Sequence, residues 1–166
     1  MRYRRVRIAG AAYFFTVVAA QRRPFFFDDR AVRLLGEAMR KVRAVRPFRT
    51  EAICVLPDHL HCIWQMPPED ADYSTRWRLI KTHFARTYGN GAANSPWQKR
   101  FWEHLIRDDD DFRSHVDYIH YNPVKHGYVQ RAVDWPCSSF HRWVRLGHYT
   151  PDWAADPESM RGAGRE

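Results

Sequence analysis

The run Thr50-Glu51-Ala52-Ile53-Cys54-Val55-Leu56-Pro57-Asp58-His59-Leu60-His61-Cys62-Ile63-Trp64-Gln65-Met66 decides the fold. Thr50 to Leu56 reads as a strand buried on both faces, as a central sheet position requires. Pro57-Asp58 is turn chemistry, and His59 to Met66 reads as a second strand paired antiparallel to the first. Pro67-Pro68 ends it. Side chains alternate along a strand, so Leu60, Cys62 and Trp64 face one way and pack. His59 and His61 face the other way, about 6.6 Å apart at the backbone.

Upstream, Arg2, Arg4, Arg5 and Arg7 precede an apolar run from Ile8 to Ala20, superficially like a secretory signal. The run is shorter than the roughly 20 residues that span a bilayer. Its centre, Tyr13 to Val18, is aromatic and β-branched, which suits a buried strand. Asp28-Asp29 can cap a helix in which Leu35, Ala38, Met39 and Val42 follow helical spacing, with Pro47 as its stop.

Downstream, Ser74 opens a helix with Trp77, Ile80 and Phe84 as its apolar stripe and Arg76, Lys81, His83 and Arg86 in water. Trp97 to Ile106 reads as a fourth strand. Asp108 to Asp111 place negative charge at a helix amino terminus, where it is favourable, and that helix runs to about Tyr121 with Pro123 closing it. The order β-α-β-β-α-β followed by a helix is α+β: a ferredoxin-like split βαβ unit, an antiparallel sheet with helices on one face. Residues 1–153 make one domain, and residues 154–166 a tail expected to be mobile.

The chain has 166 residues, enough for one domain with a real core. With 45% hydrophobic and 28% charged residues it is globular rather than disordered. Lys plus Arg number 27 against 19 Asp plus Glu, a formal charge of +8, so a polyanion is the expected partner and nucleic acid leads. Aromatics at 15% offer stacking surfaces for bases. Cys54, Cys62 and Cys137 form no CxxC pair, which removes a disulfide scaffold and a cysteine-rich zinc site and fits a reducing cytoplasm. Cys54 and Cys62 read as small core residues.

His59-Leu60-His61 is the first chemical feature, because two imidazoles on one strand face can converge on a cation. An isolated HxH is more often a capping or surface histidine beside a core strand than a metal site. Asp117-Tyr118-Ile119-His120-Tyr121-Asn122-Pro123 is the second. Phe112, Val116 and Ile119 share a core face, whereas Tyr118 and Asn122, four apart, stack on another with His115 one turn away. Tyr121 lies about 60° around the helix from Tyr118 and shares no face with Asn122. Two imidazoles and an amide oxygen give a cation three ligands and leave room for phosphate oxygens, a mixed set suited to Mg²⁺ or Mn²⁺. A phenol one turn away could then attack the same phosphate.

Four ordered blocks carry a resemblance over roughly Tyr3 to Trp153: V-L-P-D-H-L-H-C-I-W, R-F-W-E-H-L-I-R, H-V-D-Y-I-H-Y-N-P-V-K-H-G-Y-V and D-W-P-C-S-S-F-H-R. The chain resembles the REP-associated tyrosine transposases, a domesticated branch of the single-tyrosine HUH transposases. The resemblance implies an HUH endonuclease-like fold with His59 and His61 as metal ligands, Asn122 as the third, helix-borne ligand and Tyr118 as the catalytic nucleophile. It implies single-stranded DNA with hairpin-forming repeats as partner, a 5′-phosphotyrosine intermediate, a divalent metal, Mg²⁺ or Mn²⁺, and no nucleotide cofactor. It further implies a cytoplasmic, nucleoid-associated enzyme with no membrane partner. It leans toward a monomer and leaves a dimer open.

Arg76, Arg78, Lys81, Lys99 and Arg100 are the candidate DNA contacts, and Trp97, Phe101 and Trp102 the candidate stacking rings. An ordinary phenol titrates near pH 10, so attack at neutral pH needs help, for which His115, Asp117 and His120 are close enough in sequence. Two rivals are a hairpin-binding module without cleavage and a metal-dependent phosphodiesterase that uses water.

Overall fold

The computed structural model describes residues 5–89 and 94–164. Four antiparallel strands, β1 (Ala12–Val18), β2 (Arg49–Val55), β3 (His59–Gln65) and β4 (Trp102–Leu105), form one sheet in the order β2-β3-β1-β4. This is the split βαβ arrangement read from the strand and helix order, with β3 inserted between β1 and β2. Helix α1 (Asp29–Val45) starts on Asp28, whose carboxylate accepts from the Arg30 backbone N–H. Helix α2 (Tyr73–Tyr88) starts one residue before the expected Ser74, capped by Asp72.

The alternation on β3 divides the core. Leu60, Cys62 and Trp64, with Tyr13, Phe15 and Val17 of β1, pack under α1 and α2. Phe14, Ala52, Cys54 and Ile63 pack on the opposite face against α3 (Asp109–Lys125) through Val116 and Ile119. The two helices of the βαβ unit therefore share one face and the third helix covers the other, the face to which His59 and His61 belong.

Two expected boundaries move. β4 is shorter than Trp97 to Ile106. Trp97 bridges Ala19, the Gln98 N–H donates to Val18 O at 3.0 Å, and Trp102 pairs with Thr16, so the four residues 98–101 stand opposite two, Val17 and Val18, a bulge in the ladder. Helix α3 passes through Pro123 to Lys125 instead of ending near Tyr121. Proline there forgoes only a bond to the Ile119 carbonyl, and the last turn is still closed by the His126 N–H on the Asn122 carbonyl at 3.0 Å.

Beyond α3, the backbone of Cys137 to Ser139 runs along the outer edge of β2, where Val55 N–H donates to Cys137 O and Ser139 N–H to Ile53 O. A short helix α4 (Phe140–Arg145) follows. The tail expected to be mobile forms a 3-10 turn, Pro157–Met160, packed on α3. Among the described residues no helix is long and apolar enough to cross a membrane.

Candidate active site

β3 presents His59 and His61 side by side toward α3, with ring centroids 4.8 Å apart and both side chains buried. Each ring is held from behind. His59 Nδ1 lies 2.6 Å from Asp58 Oδ1, and a carboxylate only accepts, so the proton sits on Nδ1 and the lone pair on Nε2. Burial opposes ionisation of Asp58, but its bonds to His59 and Arg22 outweigh this and hold the carboxyl below its usual range. His61 Nδ1 lies 2.9 Å from Thr16 Oγ1 on the neighbouring strand, which places His61 by sheet register.

Helix α3 supplies the facing wall. The Tyr118 ring meets His61 edge-on at 5.2 Å, and Phe14 lies beneath both, 5.5 Å from His61 and 6.0 Å from Tyr118. One turn on, Asn122 is wholly buried. Its Oδ1 has no hydrogen-bond partner among the described residues. A buried acceptor left in that state costs about 1–3 kcal/mol unless something electropositive meets it. Two imidazoles and this amide oxygen are a donor set that fits a divalent cation. Tyr121 is half-buried on a different face.

Tyr118 itself is only 7% exposed, and the tail contributes to this, with Met160 and Ala163 packed on the same cluster. Gly164, at φ +74°, lies so close that a Cβ there would clash with the phenol ring of Tyr118.

The three candidate helpers are engaged elsewhere. His115 bonds to the Asp111 carbonyl at 2.8 Å. Asp117 accepts from the Tyr149 hydroxyl at 2.6 Å, and burial raises its carboxyl. His120 meets Ser139 Oγ at 2.8 Å, and burial, with smaller contributions from Arg142 and His141, drives its imidazole down to about 3, so it is neutral. Sequence reasoning missed two residues at the site. Lys125 Nζ is 3.4 Å from the Tyr118 hydroxyl, and the His126 ring is 5.3 Å from that of His59. Both follow Pro123, where the helix was expected to have ended.

His104, Asp111 and His115 form the one group of three or more His, Cys, Asp or Glu residues with metal-ligand spacing among the described residues, their donor atoms within 4.8 Å of one another. Asp111 is already bonded to His104 at 2.8 Å and to the Arg107 backbone N–H at 2.9 Å. Burial alone would raise its carboxyl, yet these bonds and the Arg107 guanidinium hold it at about 2. Asp108 caps α3 through the Asp111 N–H.

The basic candidates separate. Arg76 is 1% exposed and is not a surface cation: its guanidinium donates to Asp70 Oδ2 at 2.7 Å and to the carbonyls of Arg46, Pro47 and Asp72 at 3.2, 2.8 and 3.0 Å. Arg78, Lys99 and Arg100 are exposed. Lys81 is half-buried, donates to the Gln98 carbonyl at 2.9 Å, and burial, assisted by Arg5, brings its ammonium down to about 8. Trp97 is a core residue packed on Phe84, and Phe101 lies under the Arg5 guanidinium at 4.0 Å.

No protein-family model matches the chain. It is 50% identical over 154 residues, 93% of this chain and 91% of the other, to the Escherichia coli (strain K12) REP-associated tyrosine transposase. A Haemophilus influenzae protein of the same family name is 42% identical over 167 residues and 94% of each chain. A solved REP-associated tyrosine transposase bound to a REP hairpin superposes with a TM-score of 0.87 at 48% identity, covering 94% of this chain and 92% of that one.

Proposed function

The chain belongs to the REP-associated tyrosine transposases, and on that premise we propose that it nicks and rejoins single-stranded DNA beside hairpin-forming repeats, through a covalent bond to Tyr118. The observation that carries this reading is the buried His59–His61 pair facing a helix that offers a phenol and, one turn on, a buried amide oxygen with no hydrogen-bond partner among the described residues. The solved relative's hairpin supports a hairpin-containing partner for this chain.

His59, His61 and Asn122 would hold a divalent cation, Mg²⁺ or Mn²⁺, and when bound it would polarise the scissile phosphate. Asp58 and Thr16 keep the two imidazoles in place without substrate, so the site is preorganised. Tyr118 Oη attacks phosphorus in line. The new bond is Oη–P, the bond that breaks is P–O3′, the phenol proton passes to solvent and the departing 3′-oxygen takes one up. The products are a 5′-phosphotyrosine and a 3′-hydroxyl. One phosphodiester replaces another, so bond energy is conserved and no nucleotide cofactor is consumed. Rejoining is the reverse step with a new 3′-hydroxyl. Exposed Arg78, Lys99 and Arg100 are the phosphate contacts of this reading, which places the enzyme on DNA in the cytoplasm.

The test is incubation of a hairpin oligonucleotide carrying a single-stranded flank with protein and Mn²⁺, followed by a denaturing gel. A nick with a covalent protein–DNA band supports the reading. A nick with no covalent band, or hairpin binding with no nick, overturns it in favour of a water-using phosphodiesterase or a binding module respectively.

Two further outcomes follow from the surroundings of the site. Asp58→Asn removes the carboxylate behind His59 and is expected to weaken Mn²⁺ binding to DNA-free protein about tenfold or more, measured by calorimetric titration. The tail leans on the phenol, so attack requires it to move aside. A chain ended after Asp156 is expected to cleave faster, by roughly tenfold if the tail is docked nine-tenths of the time. Initial rates of nicking report this, and equal rates would show that the tail does not obstruct the site.

A further inference from the structure

Helix α3 does not stop at Pro123, and this changes which residues share the face of Tyr118. At 100° per residue, positions 118, 122 and 125 fall at i, i+4 and i+7, one stripe down the helix. Lys125 therefore projects from the last turn back along the side that carries Tyr118 and Asn122. Its Nζ lies 3.4 Å from the Tyr118 hydroxyl and 5.0 Å from the centre of its ring. The backbone that makes this possible is the final turn, closed by the His126 N–H on the Asn122 carbonyl. A cation in the last turn of a helix is also favoured by the carbonyls gathered there.

We propose that Lys125 is a catalytic residue whose ammonium stabilises the negative charge that gathers on the Tyr118 oxygen and the attacked phosphate. The assignment rests on the strand-cleaving reading above. Lys125 keeps its protons throughout: the Oη–P bond forms, the P–O3′ bond breaks, and the positive charge stands beside the oxygen that bears charge as it enters the bond and again as it leaves during rejoining. Two features make the pairing more than a surface accident. Lys125 is exposed as a residue, yet its ammonium reaches a phenol that is only 7% exposed, and it meets both the hydroxyl and the face of the ring.

The experiment compares wild type, Lys125→Met and Lys125→Arg in single-turnover nicking at saturating protein with Mn²⁺, alongside hairpin affinity without metal and thermal melting. The methionine variant is expected to nick at least roughly tenfold more slowly, short of the ~10²–10³ that a fully desolvated donor commands, because Lys125 is exposed. Hairpin affinity and melting should stay near wild type, and arginine should recover most of the rate. Wild-type rates in Lys125→Met would overturn the assignment and leave the strand-cleaving reading intact. So would a loss matched by weaker hairpin binding, which would make Lys125 a DNA contact, or an equal loss with arginine. Absence of any nick by wild type would instead overturn the reading beneath it, and the assignment with it.

Discussion

Tyr118→Phe is expected to abolish nicking and the covalent protein–DNA product while leaving hairpin affinity within about twofold of wild type. The substitution removes one oxygen and nothing else. The ring keeps its edge contacts with His61 and Phe14, so the wall opposite the histidine pair stays in place. Asn122 and the two imidazoles are untouched, and metal binding should persist. Loss of a covalent nucleophile typically costs at least ~10⁴ in rate, which on a gel is no product. Two alternatives are separated by the same lane. A water-using phosphodiesterase would retain its nick in the phenylalanine variant, and Tyr121 as nucleophile would retain both nick and covalent band. Tyr121 would first have to leave its own face of α3, and a rotation of about 60° would carry Val116 and Ile119 out of the core.

The histidine pair and the sheet were readable because period-two alternation is a local property. Once Leu60, Cys62 and Trp64 belong to a core, His59 and His61 must face away from it; that α3 covers this second face is tertiary packing, which alternation does not report. Expectation and structure part where residue type and position disagree. Pro123 reads as a stop, although near a helix end proline gives up a single hydrogen bond, and such a stop leaves Lys125 and His126 off the helix. Residue 76 follows Tyr73 by three and precedes Ile80 by four, a core spacing, yet its charge assigned it to water. No local pattern reports the tail: Gly164 meets Tyr118 across 46 positions, and contacts of that range leave no periodicity to read. The same holds for Cys137 to Ser139 along the edge of β2.

Arg76→Ala is expected to destabilise the fold by about 3 kcal/mol, a large part of a small domain's total, with little direct effect on DNA affinity at temperatures where the variant is folded. The guanidinium ties two helix ends together. It satisfies the carbonyl of Arg46, the cap of α1, and that of Pro47 just beyond, while also holding Asp70 and Asp72 at the start of α2. Alanine would strand those acceptors and open a void at a position that is 1% exposed. Urea denaturation measures the loss, and Arg78→Ala, two positions along on the exposed side, serves as the control expected to change stability by less than about 0.5 kcal/mol.

The acid limb gives an independent reading of the same contact. The Arg76 hydrogen bond, with the Asp72 backbone N–H, holds the Asp70 carboxyl below its usual range. A folded-state value under the unfolded one means that this stabilisation is present above the unfolded value, about 3.9, and is lost as pH falls through the folded one. Arg76→Ala should flatten that part of the stability–pH curve, and Arg78→Ala should leave it as in wild type. If Arg76→Ala instead kept its stability and lost hairpin affinity with a shallower salt dependence, the guanidinium would be a phosphate contact, as its charge alone suggests, and the staple between α1 and α2 would be discarded.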